Sequence, residues 1–253
     1  MLPFSSICTF LTVILLILLG TFSEYNMTSF IKILILIVSL ICFPMTFAFA
    51  SSDITFENIG QDITVEIIQD GQDHYVLIEQ DGDQNKSNIV QYGTGNSAEL
   101  YISGDNNHAT LEQSGVGHSA YTALEGDNNI FEFNQIGENH YIDVNMGYAN
   151  NITNNNIAFF LQEGDNHIIS AQISGSQNLL NIRQGGSANN LSASIQGHNN
   201  NVSSSQIGID NNANLSLMGS FNNIHVDQDG MGLNYGLTHY GDGGTISVHQ
   251  TVF

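Results

Sequence analysis

Basic residues are almost missing. Lys and Arg number 3 against 24 Asp and Glu, a formal net charge of −21 over 253 residues. Holding a phosphate backbone needs a cluster of cations, so nucleic acid is excluded as a partner. Tryptophan is absent, and the two Pro (Pro3, Pro44) and two Cys (Cys8, Cys42) all fall in the first fifty residues. Beyond Ala50 there is neither, which excludes a disulfide-stapled scaffold, a thiolate metal centre and a cysteine nucleophile. Charged residues make up only 11% of the chain, where an ordinary domain carries about a quarter, while glycine reaches 25. These shortages argue against a conventional globule.

The first fifty residues differ from the rest. Apolar runs at 10–19 and 31–43 flank a polar patch around 23–29. The second run follows Met27 and Lys32 and ends in Ala48-Phe49-Ala50, giving a short basic n-region, an apolar stretch and an A-x-A site. Both runs fall short of the roughly 20 apolar residues that span a bilayer. The expected organisation is a leader over residues 1–50, with a signal peptide at 27–50 cleaved after Ala50 and an alternative start at Met27. An exported domain over 51–253 follows, with two cations (Lys86, Arg183) and 23 acidic residues.

That domain is a repeat. Glycines recur every eleven residues at Gly60, Gly71, Gly82, Gly93, Gly104, Gly115, Gly126 and Gly137. After one irregularity they resume at Gly164, Gly175, Gly186, Gly197, Gly208, Gly219, Gly230 and Gly241. Three residues past most of them stands Asn or His. The Asn set is Asn85, Asn96, Asn107, Asn129, Asn178, Asn189, Asn200, Asn211 and Asn222, and the His set is His74, His118, His140 and His167. Two residues before every other glycine stands Gln: Gln69, Gln91, Gln113, Gln135, Gln162, Gln184, Gln206, Gln228 and finally Gln250. The Gln spacing is 22, except for 27 across the irregularity, so the unit is 22 residues in two unequal halves.

Within each half the apolar residues alternate with polar ones, as in Val76/Ile78, Ala98/Leu100, Phe131/Phe133 and Ile246/Val248. Period two is the pattern of a strand with one buried face. Each half is expected to form a strand of about six residues and a turn whose glycine takes φ > 0. Two such halves make one coil of a narrow, all-β, amyloid-like β-solenoid. Eight intervals from Gln69 to Gln250 imply eight to nine coils, about 40 Å tall at about 4.8 Å per coil. Residues 22 apart lie above one another, so the inward Gln and Asn amides are expected to bond along the stack. Residues 138–163 hold five more than one unit needs, read as an insertion near 145–160 bulging from a turn.

The segment Gln91-x-Gly93-x-x-Asn96-x-Ala98 resembles the curlin repeat, Gln-x-Gly-x-x-Asn-x-Ala-x-x-x-Gln, of curli amyloid subunits. Asn107-x-Ala109-x-x-x-Gln113 and Gln206-x-Gly208-x-x-Asn211-x-Ala213 carry the same pattern. The resemblance implies a secreted subunit of an extracellular fibre for biofilm matrix and adhesion. It implies partners too: further copies of the chain, a nucleating curlin subunit and an outer-membrane export channel. The acidic balance is more like a major than a nucleating subunit. Departures are the Ile or Leu replacing Gln in many second halves, and repeats that start almost at the cleavage site without an unrepeated export segment.

The rest of the chemistry is bland. His118, His140 and His167 share one repeat position and read as a stacked polar column. No carboxylate or thiolate stands at a fixed spacing to complete a metal shell around it. The acidic turns lack the nine-residue repeat of calcium β-rolls. No nucleophile–base set or phosphate loop stands out, so neither an enzyme nor a cofactor is expected. The alternative to a fibre subunit is a monomeric secreted solenoid, an adhesin or an ice-binding protein. Ice binding asks for a regular outward Thr array, and the outward positions here are irregular.

Overall fold

The computed structural model describes residues 52–147 and 153–252. The leader expected over residues 1–50, with its signal peptide at 27–50, lies outside the described residues. Eighteen strands and no helix make up the described chain, so no helix among these residues is long and apolar enough to cross a membrane. The strands form two parallel nine-stranded sheets, one of the odd-numbered strands from β1 (Asp53–Ile59) to β17 (Asn234–Tyr240) and one of the even-numbered strands from β2 (Thr64–Gln72) to β18 (Thr245–Thr251). Successive coils pair at an offset of 22 residues, as in β16 (Asn223–Met231) with β18 (Thr245–Thr251). The fold is a β-solenoid of nine turns.

The core is the slot between the two sheets. Each strand sends alternate residues inward, and at mid-stack Phe131 and Phe133 of β8 (Ile130–Glu138) lie against Phe160 of β10 (Ile157–Asp165). The ring centroids of Phe131 and Phe133 are 3.9 Å apart in an edge-on contact. Ala109 and Ala158 stand beside Phe131 in the neighbouring coils, so large and small side chains share the slot.

Strand length departs from the sequence reading. Apart from β9 (Tyr141–Met146) and β18, the strands alternate seven and nine residues rather than six. The nine-residue strands run through their glycine, so that Gly71 still pairs with Gly93 in β2 (Thr64–Gln72) and β4 (Lys86–Thr94). The glycine takes φ > 0 as expected, 140° at Gly115, and close approach requires it as well: a Cβ on Gly115 would lie 1.8 Å from the carbonyl oxygen of Gly137 one coil on. The left-handed residue comes two positions later, at Asn106, Asn128, Asn139 and Asn199 among others, with φ of 54–59°.

The irregular segment is simpler than a displaced coil. β9 ends at Met146, and β10 pairs with β8 at an offset of 27 and with β12 (Leu179–Ser187) at 22. The described repeat resumes at Thr153, which takes a glycine position: the Cβ that Gly126 lacks would sit 1.9 Å from the Thr153 carbonyl oxygen. Residues 148–152 lie outside the described residues.

Candidate functional site: polar ladders and open ends

Every even strand turns one Gln into the slot near its end, because Gln sits in phase with two inward residues before it. Gln91, Gln113, Gln135, Gln162, Gln184 and Gln206 are completely buried. From Gln69 to Gln250 each Nε2 donates to the Oε1 of the Gln one coil on, at 2.7–2.9 Å. The same Nε2 donates to a backbone carbonyl across the slot, as Gln113 does to Ser97 O at 2.9 Å and Gln184 to Ile168 O at 3.0 Å. A carbonyl only accepts, so this second bond fixes which way each amide faces. All eight rungs therefore point the same way along the axis. In the opposite sheet the equivalent column is apolar through Ile102, Leu124, Met146, Ile173, Ile195 and Leu217, and polar only near its ends at Asn58, Gln80 and His239.

Two further columns line the turns. At one, Asn85, Asn107, Asn129, Asn156, Asn178, Asn200 and Asn222 stack. Each Oδ1 accepts the backbone N–H of the next residue in the column, for example Asn107 N at 2.9 Å and Asn178 N at 2.9 Å. Each Nδ2 donates to the carbonyl of a column glycine, as Asn85 does to Gly104 at 2.7 Å and Asn200 to Gly219 at 2.8 Å. The one exception is Asn129, which uses the Thr153 carbonyl in the glycine's place at 2.9 Å. These are the groups that a tight turn leaves orphaned, and Asn satisfies a donor and an acceptor at once.

The other turn column reads His74, Asn96, His118, His140, His167, Asn189 and Asn211. His replaces Asn atom for atom. The Nδ1 of His118, His140 and His167 accepts the N–H of His140, His167 and Asn189 at 3.2, 3.3 and 3.2 Å. Their Nε2–H groups donate to the carbonyls of Ser114, Ile136 and Glu163 at 3.2, 2.9 and 3.0 Å. The rings stack with centroids 4.9 and 5.0 Å apart. Burial pushes all three imidazoles below their ordinary pKa, His140 to about 4, with the neighbouring His118 and His167 adding to the fall at His140. Both nitrogens of each ring are engaged by backbone, which leaves no lone pair to bind a metal. No group of three metal-ligating side chains assembles among the described residues.

The ends expose what the middle hides. On the first coil, Ile54 and Phe56 of β1 (Asp53–Ile59) are 55% and 45% exposed, and Val65, Ile67 and Gln69 of β2 are half-buried. On the last coil, Tyr235 and Leu237 of β17 (Asn234–Tyr240), with Ile246, Val248 and Gln250 of β18, are half-buried. Among the described residues Gln69 Oε1 has no donor below it and Gln250 Nε2 has no Gln above it, although Nε2 still reaches Asn234 O at 3.2 Å. The two Asn columns stop short, at Gly244 and Leu233, whose backbone N–H groups still bond Asn222 and Asn211.

Sequence reasoning missed Asn156, Thr153 and Met146, which belong to the columns around the irregularity. One signal was available: Asn156 precedes Gln162 by the same six residues that separate Asn129 from Gln135.

A family model of the curlin associated repeat matches residues 60–93, 88–115 and 104–137. No curated protein matches, and no solved structure matches.

Proposed function

We propose that this chain, whose residues 60–137 match the curlin associated repeat, is a secreted subunit that polymerises head to tail into an extracellular amyloid fibre. The observation that carries this reading is the match between its two open ends. A second copy set one coil beyond β17 and β18 brings its Gln69 onto Gln250. Val65 and Ile67 then meet Ile246 and Val248, while Ile54 and Phe56 meet Tyr235 and Leu237, all in the register used within the chain. The open Gln250 donor then faces the open Gln69 acceptor. Joining like ends sets acceptor against acceptor or donor against donor, so the ladder favours a polar fibre. Four strand edges stop being exposed, which removes the hazard that open edges carry.

The fibre serves matrix formation and adhesion at the cell surface. An acidic fibre-forming subunit of this kind works with a nucleating curlin subunit and an outer-membrane export channel. Purified residues 51–253 are expected to assemble after a lag into thioflavin-positive fibres with a reflection at about 4.7–4.8 Å along the axis, and seeds are expected to remove the lag. A chain that stays monomeric for days at tens of micromolar refutes the proposal.

A further inference from the structure

We infer that the stacked histidines are an acid-sensitive latch that holds the middle coils of the solenoid closed only while their imidazoles are neutral. Nδ1 of His118, His140 and His167 each accepts a backbone N–H from the next coil, so the lone pair there is committed. Nε2 of each donates to a carbonyl four residues earlier. The neutral Nε2–H tautomer is therefore the one form that satisfies both sides, and it copies the amide of Asn96 and Asn189 in the same column. A second proton can only go onto Nδ1. There it sets N–H against N–H, breaks the rung between coils, and places like charges about one coil apart in a buried stack.

The surroundings do little to offset this. Asp165, at the end of β10, favours the charged forms of His140 and His167 but is itself exposed. The other titratable groups near the column are Glu138 of β8, Tyr141 of β9 and Glu163 of β10. Glu138 and Tyr141 are exposed, and Glu163 is bound to Arg183 of β12 at 2.9 Å. The column positions on β6 (His108–Val116), β7 (Ser119–Glu125), β11 (Ile168–Ser174) and β13 (Asn190–Gln196) are neutral: Ser114, Ser119, Ile168 and Asn190. The inward neighbours are the uncharged Gln113, Gln135, Gln162 and Gln184. His74 heads the same column, but its Nδ1 has no partner and forms no rung.

The direction of the effect follows from the lowered pKa values. The open chain takes up protons below about 6.5, while the closed column resists, so stability is full above that pH and falls as pH drops. Each ring shifts the closed-to-open ratio tenfold per pH unit until its folded pKa is reached. For His140, between 6.5 and about 4, that amounts to about 300-fold. The Asn column on the opposite turn of the same coils carries no such dependence, because amides do not titrate in this range. Acid therefore loosens one edge of the middle coils and leaves the other edge and both outer thirds closed.

Amide hydrogen exchange on the full assembled chain, corrected for intrinsic rates, tests this. From pH 7 to pH 4 the amides of His140, His167 and Asn189 are expected to lose at least tenfold more protection than those of Asn129, Asn156 and Asn178. Replacing all three rings, H118N/H140N/H167N, is expected to abolish the difference. Equal protection in both columns at pH 4, or an unchanged difference in the triple variant, overturns the inference. Should that variant not assemble, 15N spectra of the imidazoles in the unsubstituted chain at pH 6 decide. Three rings in the neutral Nε2–H form support the latch, and imidazolium at these positions overturns it.

Discussion

Replacing Gln135 by Ala cuts the amide ladder at its centre. Gln135 accepts from Gln113 Nε2 at 2.8 Å and donates to Gln162 Oε1 at 2.9 Å, and all three side chains are fully buried. The truncation leaves one donor proton on Gln113 and the oxygen of Gln162 without their partners. A buried polar group left unpaired costs about 1–3 kcal/mol, so the two together cost roughly 2–6. Loss of the buried methylene adds about 0.8 kcal/mol. A central value of about 5 kcal/mol corresponds to a rise of roughly several thousandfold in the local opening constant. Hydrogen exchange of the amides around 113, 135 and 162 reads this directly, and seeded elongation rates should fall as well. Gln135→Met keeps the length of the side chain and loses only the bonds, so it separates the amide contribution from packing. Glu99→Ala and His225→Ala, on the outward faces, are the controls and should stay within about 0.5 kcal/mol. If Gln135→Ala exchanges and elongates like these controls, the ladder is not where the stability lies.

Other substitutions probe the backbone and the charge. Gly115→Ala is expected to block folding of its coil, since its Cβ would meet the Gly137 carbonyl at 1.8 Å, whereas Gly95→Ala, with open space and φ of 68°, should cost only about 1–2 kcal/mol by thermal unfolding. Phe221 holds the left-handed position with φ of 61° and a mostly exposed ring, so Phe221→Asn should raise stability by about 1 kcal/mol. The buried hydroxyl of Thr122 has no hydrogen-bond partner, and Thr122→Val should stabilise by about 1 kcal/mol in the same assay. At neutral pH, raising salt from about 0.01 to 0.15 M shortens the screening length from about 30 to 8 Å and should speed assembly of a chain of net charge −21; slower assembly would contradict the repulsion argument.

Much of this fold is legible in the chain because a solenoid turns sequence period into spatial adjacency. Gln69 and Gln91 touch because they are 22 apart, so counting alone placed the ladder, the inward faces and the number of coils. What counting could not reach depends on backbone groups and on direction. The left-handed position is filled by residues as unlike as Asp62, Gln84, Ala188 and Phe221, because the local path is set by main-chain bonds rather than by the side chain. The nine-residue strands stayed hidden because a glycine reads as a turn, while here it permits two coils to keep pairing at close range. Thr153 escaped notice because the five extra residues disguise its register and it is not a glycine. The common direction of the Gln rungs and the tautomer of the His column follow only from the second hydrogen bond each side chain makes across the slot. No spacing encodes that bond.

Cysteine cross-linking tests the head-to-tail junction on a clean background, since residues 51–253 contain no Cys. Thr64 and Thr245 are exposed, outward-facing residues at the starts of β2 and β18. Continuing the 22-residue register sets Thr245 of one copy beside Thr64 of the next, about 4.8 Å apart, while within one chain the two are eight coils apart. Fibres of the double variant T64C/T245C, treated with a short bifunctional thiol reagent, are predicted to give a covalent ladder of dimers, trimers and higher species. Either single variant should give none. Fibres of the double variant that yield no ladder, or dimers from one single variant, would contradict the account, the latter by showing that like ends meet.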